Sequence, residues 1–217
     1  MQTRIDHLVI GAGDLAQGIA YVKQFLGVDI PYGGVHTKMG THNHLMRLGN
    51  DIFLEVIALN PDMESPQTPR WFGLDDPRVR NQIRKKPALL NWVVNTKNIK
   101  GLLRQANVSF GKAQLISRGN LNWYFGLPRD GRLLAGGMLP YALEWQTDCH
   151  PSTNMADTGC RFQRIEIHHP NPTWLKTILA SIDAENLADI HGLPDNSTPY
   201  LIAYIDTPSG VKLLKSI

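Results

Sequence analysis

The sequence predicts an α+β fold built from a duplicated unit, and three observations carry that prediction. Two apolar strands each hold a polar residue, Ile5-Asp6-His7-Leu8-Val9-Ile10 and Ala88-Leu89-Leu90-Asn91-Trp92-Val93-Val94, and each is followed by a helical stripe. The stripes open eight positions after His7 and eight after Asn91, at Leu15 and Ile99. Each unit then ends on an acid within an apolar strand, Ile52-Phe53-Leu54-Glu55-Val56 in the first and Tyr141-Ala142-Leu143-Glu144-Trp145 in the second. His7 to Glu55 spans 48 positions and Asn91 to Glu144 spans 53, so the copies differ only by loop-sized insertions. Such periodicity marks a repeated supersecondary unit and takes precedence over other fold assignments.

Taking the elements in order, alternation in the first strand sets His7 and Val9 on one face and Leu8 and Ile10 on the other. Asp14 is placed to cap a helix whose stripe is Leu15, Ile19, Val22 and Leu26, and Gly27 ends it. Pro31-Tyr32-Gly33-Gly34 opens a strand or loop that runs through His36 to Gly40. From Gly40 to Leu59 the pattern reads as two strands joined at Gly49-Asn50-Asp51. In the first of these, His42, His44 and Met46 share one face and Asn43, Leu45 and Arg47 the other, with nothing local to say which is wet. In the second, Phe53, Glu55 and Ile57 lie together. A carboxylate on a buried face needs a cation, a metal or a proton, because its desolvation is otherwise uncompensated.

Five prolines between Asn60 and Pro87 mark a linker between the units, with a short helix over Asp76 to Arg84. Its Trp71 and Phe72 either cover a site or anchor the linker to the core. The second helix carries Ile99, Leu102, Leu103 and Ala106 and stops near Asn107, with strands over Gln114 to Ser117 and Leu121 to Leu127 behind it. Trp123 and Phe125 share a face there, suited to a ligand wall or to core packing. Beyond Cys149, a polar stretch from His150 to Gly159 leads to a strand over Phe162 to His168. Asn171 and Pro172 then open a helix bearing Leu175, Ile178, Leu179 and Ile182. Strands over Tyr200 to Ile205 and Val211 to Leu214 complete what begins as a third unit, but no acid stands where Glu55 and Glu144 do. This segment is expected to extend or cover the sheet.

Composition narrows the function classes. A chain of 217 residues with 42% hydrophobic and 19% charged content can bury a substantial core. The net charge is only +3, and Lys and Arg are scattered apart from Arg84-Lys85-Lys86, so nucleic acid is not an expected partner. No apolar run approaches membrane-spanning length, and Met1-Gln2-Thr3-Arg4 leads into a strand with no signal-peptide pattern. A cytoplasmic protein is expected, with Cys149 and Cys160 as free thiols.

The order of these elements, with Gly33-Gly34-Val35-His36, Gly40-Thr41-His42-Asn43 and Phe53-Leu54-Glu55, resembles the glyoxalase-like domain of the vicinal oxygen chelate superfamily, which includes glyoxalase I and the extradiol dioxygenases. The resemblance implies paired βαβββ modules forming a cup-shaped mixed sheet, with a partial third module at the C-terminus. Residues 1–148 would hold the modules, about 4–60 and 88–147 around a 61–87 linker, and residues 149–217 a βα-containing extension packed on the same sheet. In the superfamily, metal ligands come from the first and last strands of each module, here His7, Glu55, Asn91 and Glu144. One imidazole and two carboxylates suit a divalent Zn, Ni, Mn or Fe, with Glu55 or Glu144 as the base. Asn91 departs from the usual His, Gln or Glu, and a single histidine disfavours the dioxygenase chemistry. His36, His42, Asn43 and Trp123 are placed near the cup mouth as substrate contacts, and Arg47, Arg118 and Arg129 are available for anions. The implied activity is a metal-assisted proton transfer, or a lyase or isomerase step, on an oxygen-rich small-molecule substrate. The superfamily also includes metal-free binding and sequestering proteins of the resistance type, and a His7 to Glu55 ion pair would satisfy both groups without a metal. A homodimer is left open.

Overall fold

The duplicated pattern becomes one curled eight-stranded sheet in the computed structural model, which describes residues 2–216. The first module comprises β1 (Arg4–Gly11), α1 (Leu15–Leu26), β2 (Tyr32–His36), β3 (Thr41–Gly49) and β4 (Ile52–Leu59). The linker forms α2 (Pro77–Lys85), and the second module follows as β5 (Ala88–Asn95), α3 (Ile99–Gln105), β6 (Lys112–Arg118), β7 (Leu121–Leu127) and β8 (Tyr141–Trp145). Strand order is β2-β3-β4-β1-β5-β8-β7-β6, so the two modules are mirrored copies joined where β1 runs antiparallel to β5. In each module the first strand pairs in parallel with the last, β1 with β4 and β5 with β8.

Local chemistry sets the boundaries. Asp14 accepts from Gln17 N at 2.7 Å at the start of α1, and Gly27 closes the helix with φ of 77°. Asp76, Asn98 and Asn171 cap α2, α3 and α4 (Pro172–Ala180) in the same manner.

The C-terminal part also contains β9 (Arg161–His169), β10 (Asp189–Gly192), β11 (Tyr200–Thr207) and β12 (Gly210–Lys215). These form a sheet of their own, ordered β10-β9-β11-β12, and not an extension of the first. The segments flanking it join the large sheet by isolated bridges, Arg47 with Asp157 before β9 and Leu89 with Ser216 after β12. Its inner residues Ile165, Ile167, Leu201, Ala203 and Leu214 pack with Leu8, Ile10, Leu54, Trp92 and Val94 in one core. The opposite face of the large sheet has a second core, in which Val9, Ile57, Val93, Phe125 and Leu143 meet Trp71, Phe72 and Leu74 of the linker. The linker therefore closes the cup. Burying each of its two aromatic side chains stabilises that closure by roughly 2–3 kcal/mol. A main-chain latch adds to it: Tyr141 Oη accepts from Phe72 N at 3.2 Å and lies 2.8 Å from Arg132 O and 3.0 Å from Gly131 O.

Candidate functional site

The cup beneath the linker is polar on one wall and aromatic on the other. His7 from β1, Glu55 from β4, Asn43 from β3 and His36 from the end of β2 supply the polar wall. Trp123 and Phe125 from β7, Leu143 and Trp145 from β8, and Trp71 and Phe72 of the linker supply the other, with Arg118 reaching in from the end of β6. The space within the cup is about 30 Å³, room for two or three waters at roughly 10–15 Å³ each.

The polar wall is a connected chain of hydrogen bonds. Asn43 donates to Glu55 Oε1 at 2.6 Å and accepts from Arg118 Nη1 at 3.1 Å, so one amide couples the acid to the guanidinium. Arg118 Nη1 also lies 3.3 Å from His36 Nε2. A guanidinium only donates, so His36 accepts there and its Nδ1–H faces Thr41 Oγ1 at 3.1 Å. Burial, reinforced by the Arg118 charge, pushes the His36 ring well below the ordinary histidine range and keeps it neutral. Trp71 contributes a buried indole N–H with no partner among the described residues.

Behind His7 stands a residue that the alternation pattern did not single out, Asp6. The pairing of β1 with β5 slips between Ile5 and His7, leaving Asp6 as the extra residue of a bulge with its side chain fully buried. Its Oδ1 is 2.6 Å from His7 Nδ1. Its Oδ2 receives Trp145 Nε1 at 2.7 Å, His150 Nε2 at 2.9 Å and Asn95 Nδ2 at 3.0 Å. Burial alone would raise its pKa; the hydrogen bonds from His150 and His7 outweigh that and hold the carboxyl below the usual range, hence ionised. An ionised acceptor fixes the proton of His7 on Nδ1. The lone pair on Nε2 then points into the cup, 3.6 Å from Glu55 Oε2, with the ring stacked on Phe53 at 4.4 Å.

The structure brings together His7, Glu55, His36, Asn43 and Trp123 around this cavity. It places three expected site residues elsewhere. Asn91 is buried with its amide engaged at both ends, donating to Gly137 O and Leu139 O and accepting from Tyr141 N, so it fastens the segment before β8. Glu144 lies one residue out of phase with Leu143 and Trp145, which face the cup. Its Oε2 accepts from Ile99 N at 2.8 Å at the start of α3, where a negative charge is favoured. His42 belongs to the outward set of β3, since Asn43 and Leu45 take the cup face. Sequence reasoning missed Asp6, Trp145 and His150 as members of the network; an acid next to His7 in an apolar strand was the available signal for Asp6.

A divalent metal in the cup is a poor match to these donors. His7 Nε2 and Glu55 Oε2 are two ligands, the second module contributes Leu143 and Trp145 in place of Asn91 and Glu144, and His36 Nε2 is engaged by a cation. The Arg118 guanidinium supplies positive charge beside Glu55 instead.

Residues 5–182 match the glyoxalase-like domain family. The chain belongs to that family. It is accordingly a member of the vicinal oxygen chelate superfamily. A hypothetical protein from Staphylococcus aureus is similar in structure to this glyoxalase-like chain over 99% of its length and 85% of the other, with a TM-score of 0.60 at 13% identity. Methylmalonyl-CoA epimerase from Mycobacterium tuberculosis matches 65% of the chain and 86% of its own, with a TM-score of 0.41 at 15% identity. A variant of 4-hydroxymandelate synthase from Streptomyces coelicolor matches 98% of the chain and 62% of its own, with a TM-score of 0.45 at 11% identity. At such identities the likeness is one of fold. No protein of curated function matches the glyoxalase-like chain. Among the described residues, no helix is long and apolar enough to cross a membrane.

Proposed function

We propose that this glyoxalase-like protein is an enzyme that moves a proton on a small, anionic, oxygen-rich substrate, with His7 as the base and no metal ion in the cup. The observation that carries the reading is the line Asp6, His7, Glu55: a buried carboxylate fixes the imidazole tautomer so that Nε2 faces the cavity. In the proposed step, His7 Nε2 takes a proton from carbon beside a carbonyl, and the electron pair of that C–H bond moves onto the carbonyl oxygen. The imidazolium so formed lies between the Asp6 and Glu55 carboxylates, which stabilise it, and it returns the proton to the same or the adjacent carbon. Arg118 and the unpartnered Trp71 N–H are the donors available to the developing oxyanion.

The test is deuterium uptake at carbon, followed by NMR in D2O across a panel of small 2-oxo, 2-hydroxy and 3-oxo carboxylates. At least one member should exchange, at a rate unchanged by chelator and lowered on the order of 10⁴-fold in His7→Gln. Exchange abolished by chelator and restored by Zn would place a metal in the cup and overturn the metal-free step. Ligands that quench tryptophan fluorescence without any exchange would make the protein a binder.

A further inference from the structure

The outer face of the second sheet carries a group of side chains for which the proposed reaction has no use. Glu166 and His168 project from β9 two residues apart, and His191 of β10 stands in register with His168 on the parallel neighbour. Each offers a ligand atom, and these atoms lie within 4.8 Å of one another. The two imidazoles stack with centroids 4.8 Å apart, and His168 rests on Tyr200 at 4.5 Å on its other side. His168 Nε2 is shielded from solvent with no hydrogen-bond partner among the described residues, and it pairs with Glu166 Oε2 at 3.5 Å. A buried ring nitrogen without a hydrogen bond calls for an explanation, and an ion shared between it and the facing carboxylate supplies one.

The surroundings prepare the carboxylate for that role. Arg164 Nη2 holds Glu166 Oε1 at 3.0 Å, and Tyr204 Oη donates to Oε2 at 3.0 Å, fixing the group with Oε2 on the side of His168. Lys215 lies over the Tyr200 ring at 4.0 Å, and Asp189 pairs in register with Glu166 on the same face. The local charges are therefore two cations and two carboxylates, before any imidazole is counted.

We infer that Glu166, His168 and His191 form a binding site for one divalent transition-metal ion, separate from the cup. Two imidazoles and one carboxylate select Zn, Ni or Cu over Mg or Ca, which prefer all-oxygen shells. Three protein ligands leave a fourth position for water. Ligand bonds of about 2.0–2.1 Å at tetrahedral angles bring donors to roughly 3.3 Å, a closure that side-chain rotation of the exposed His191 supplies. The ion would tie the four-residue edge strand β10 to β9.

Zn titration of the full chain, stripped with chelator and followed by calorimetry, tests this. Wild type should take up one equivalent. His191→Ala should lose it, and Glu166→Gln should weaken it at least tenfold, while His7→Gln binds as wild type does. His191 is exposed, so its removal leaves the core intact, and an unchanged circular dichroism spectrum verifies that. Co loaded in place of Zn should give absorption bands of a tetrahedral site that vanish in His191→Ala. The inference is overturned if wild type shows no saturable uptake, if the equivalent survives in His191→Ala, or if it is lost in His7→Gln instead.

Discussion

Asp6→Asn should lower the proton-exchange rate by about 10³–10⁴-fold while leaving the chain folded. The reason is the direction of the hydrogen bonds. The wild-type carboxylate accepts from four donors, one on Oδ1 and three on Oδ2. An amide has one accepting end, and it satisfies most donors by turning its oxygen to Trp145, His150 and Asn95. Its NH2 then faces His7 Nδ1, which must accept, so the ring proton moves to Nε2 and the lone pair in the cup is lost. Nitrogen-15 chemical shifts of the His7 ring would report that tautomer switch directly, and a rate within tenfold of wild type would exclude His7 as the base. Stability should also fall by about 2–3 kcal/mol, as charge-assisted hydrogen bonds are lost. The sign with pH follows from the depressed carboxyl. A group ionised more readily in the folded than in the unfolded chain stabilises the fold above its unfolded pKa, near 3.9. That contribution is lost as pH falls through the lower folded value, so the gap between wild type and variant should be constant at neutral pH and shrink only below about pH 4.

The fold was legible because its signals are local and repeated. Asp14 and Gly27 bound α1, Asn171 and Pro172 open α4, and the strand, helix and acid-bearing strand recur in order, each a consequence of capping or alternation within a short window. β10 was not legible: Asp189-Ile190-His191-Gly192 has no apolar alternation and is held as a strand by its pairing with β9. The site was legible by half, for reasons visible in single residues. Strict alternation carried His7 and Glu55 to the cup face. The matching acid Glu144 differs by one residue of phase, and a one-residue slip exchanges the faces of a strand, so sequence similarity to the Glu55 strand pointed the wrong way. Asp6 owes its position to a bulge that only the pairing of β1 with β5 reveals. Arg118, Trp145 and His150 meet that network across 75 or more residues of chain, through closure of the sheet and placement of the segment after β8.

The linker that closes the cup yields the other large effect, at Gly131. This residue has φ of 66°, and a Cβ there would stand 1.9 Å from Arg70 O and 2.9 Å from Arg70 C. Its carbonyl accepts from Gly73 N at 2.8 Å, so the turn from Pro128 to Gly131 is bonded to one end of the segment bearing Trp71 and Phe72 and lies against Arg70 at the other. Backbone cannot yield as a side-chain tip does. Gly131→Ala must therefore push the Arg70 to Gly73 segment off the turn or force the turn to change shape. A left-handed conformation without glycine costs about 1–2 kcal/mol, and overpacking adds typically 1–3 kcal/mol, so a loss of about 3 kcal/mol is expected. Gly119 supplies the control. Its φ of 55° is similar, yet a Cβ there meets nothing within 4 Å, so Gly119→Ala should cost only the backbone part, about 1–2 kcal/mol. The difference between the two variants in urea denaturation isolates the collision. Displacing the segment also exposes Trp71, now 3% accessible, which predicts red-shifted and more readily quenched tryptophan emission in Gly131→Ala but not in Gly119→Ala. If the linker is the lid through which substrate enters, the same variant should bind ligand faster and release it faster. Equal destabilisation of the two variants with unchanged emission would show that the turn at Gly131 does not hold the cup closed.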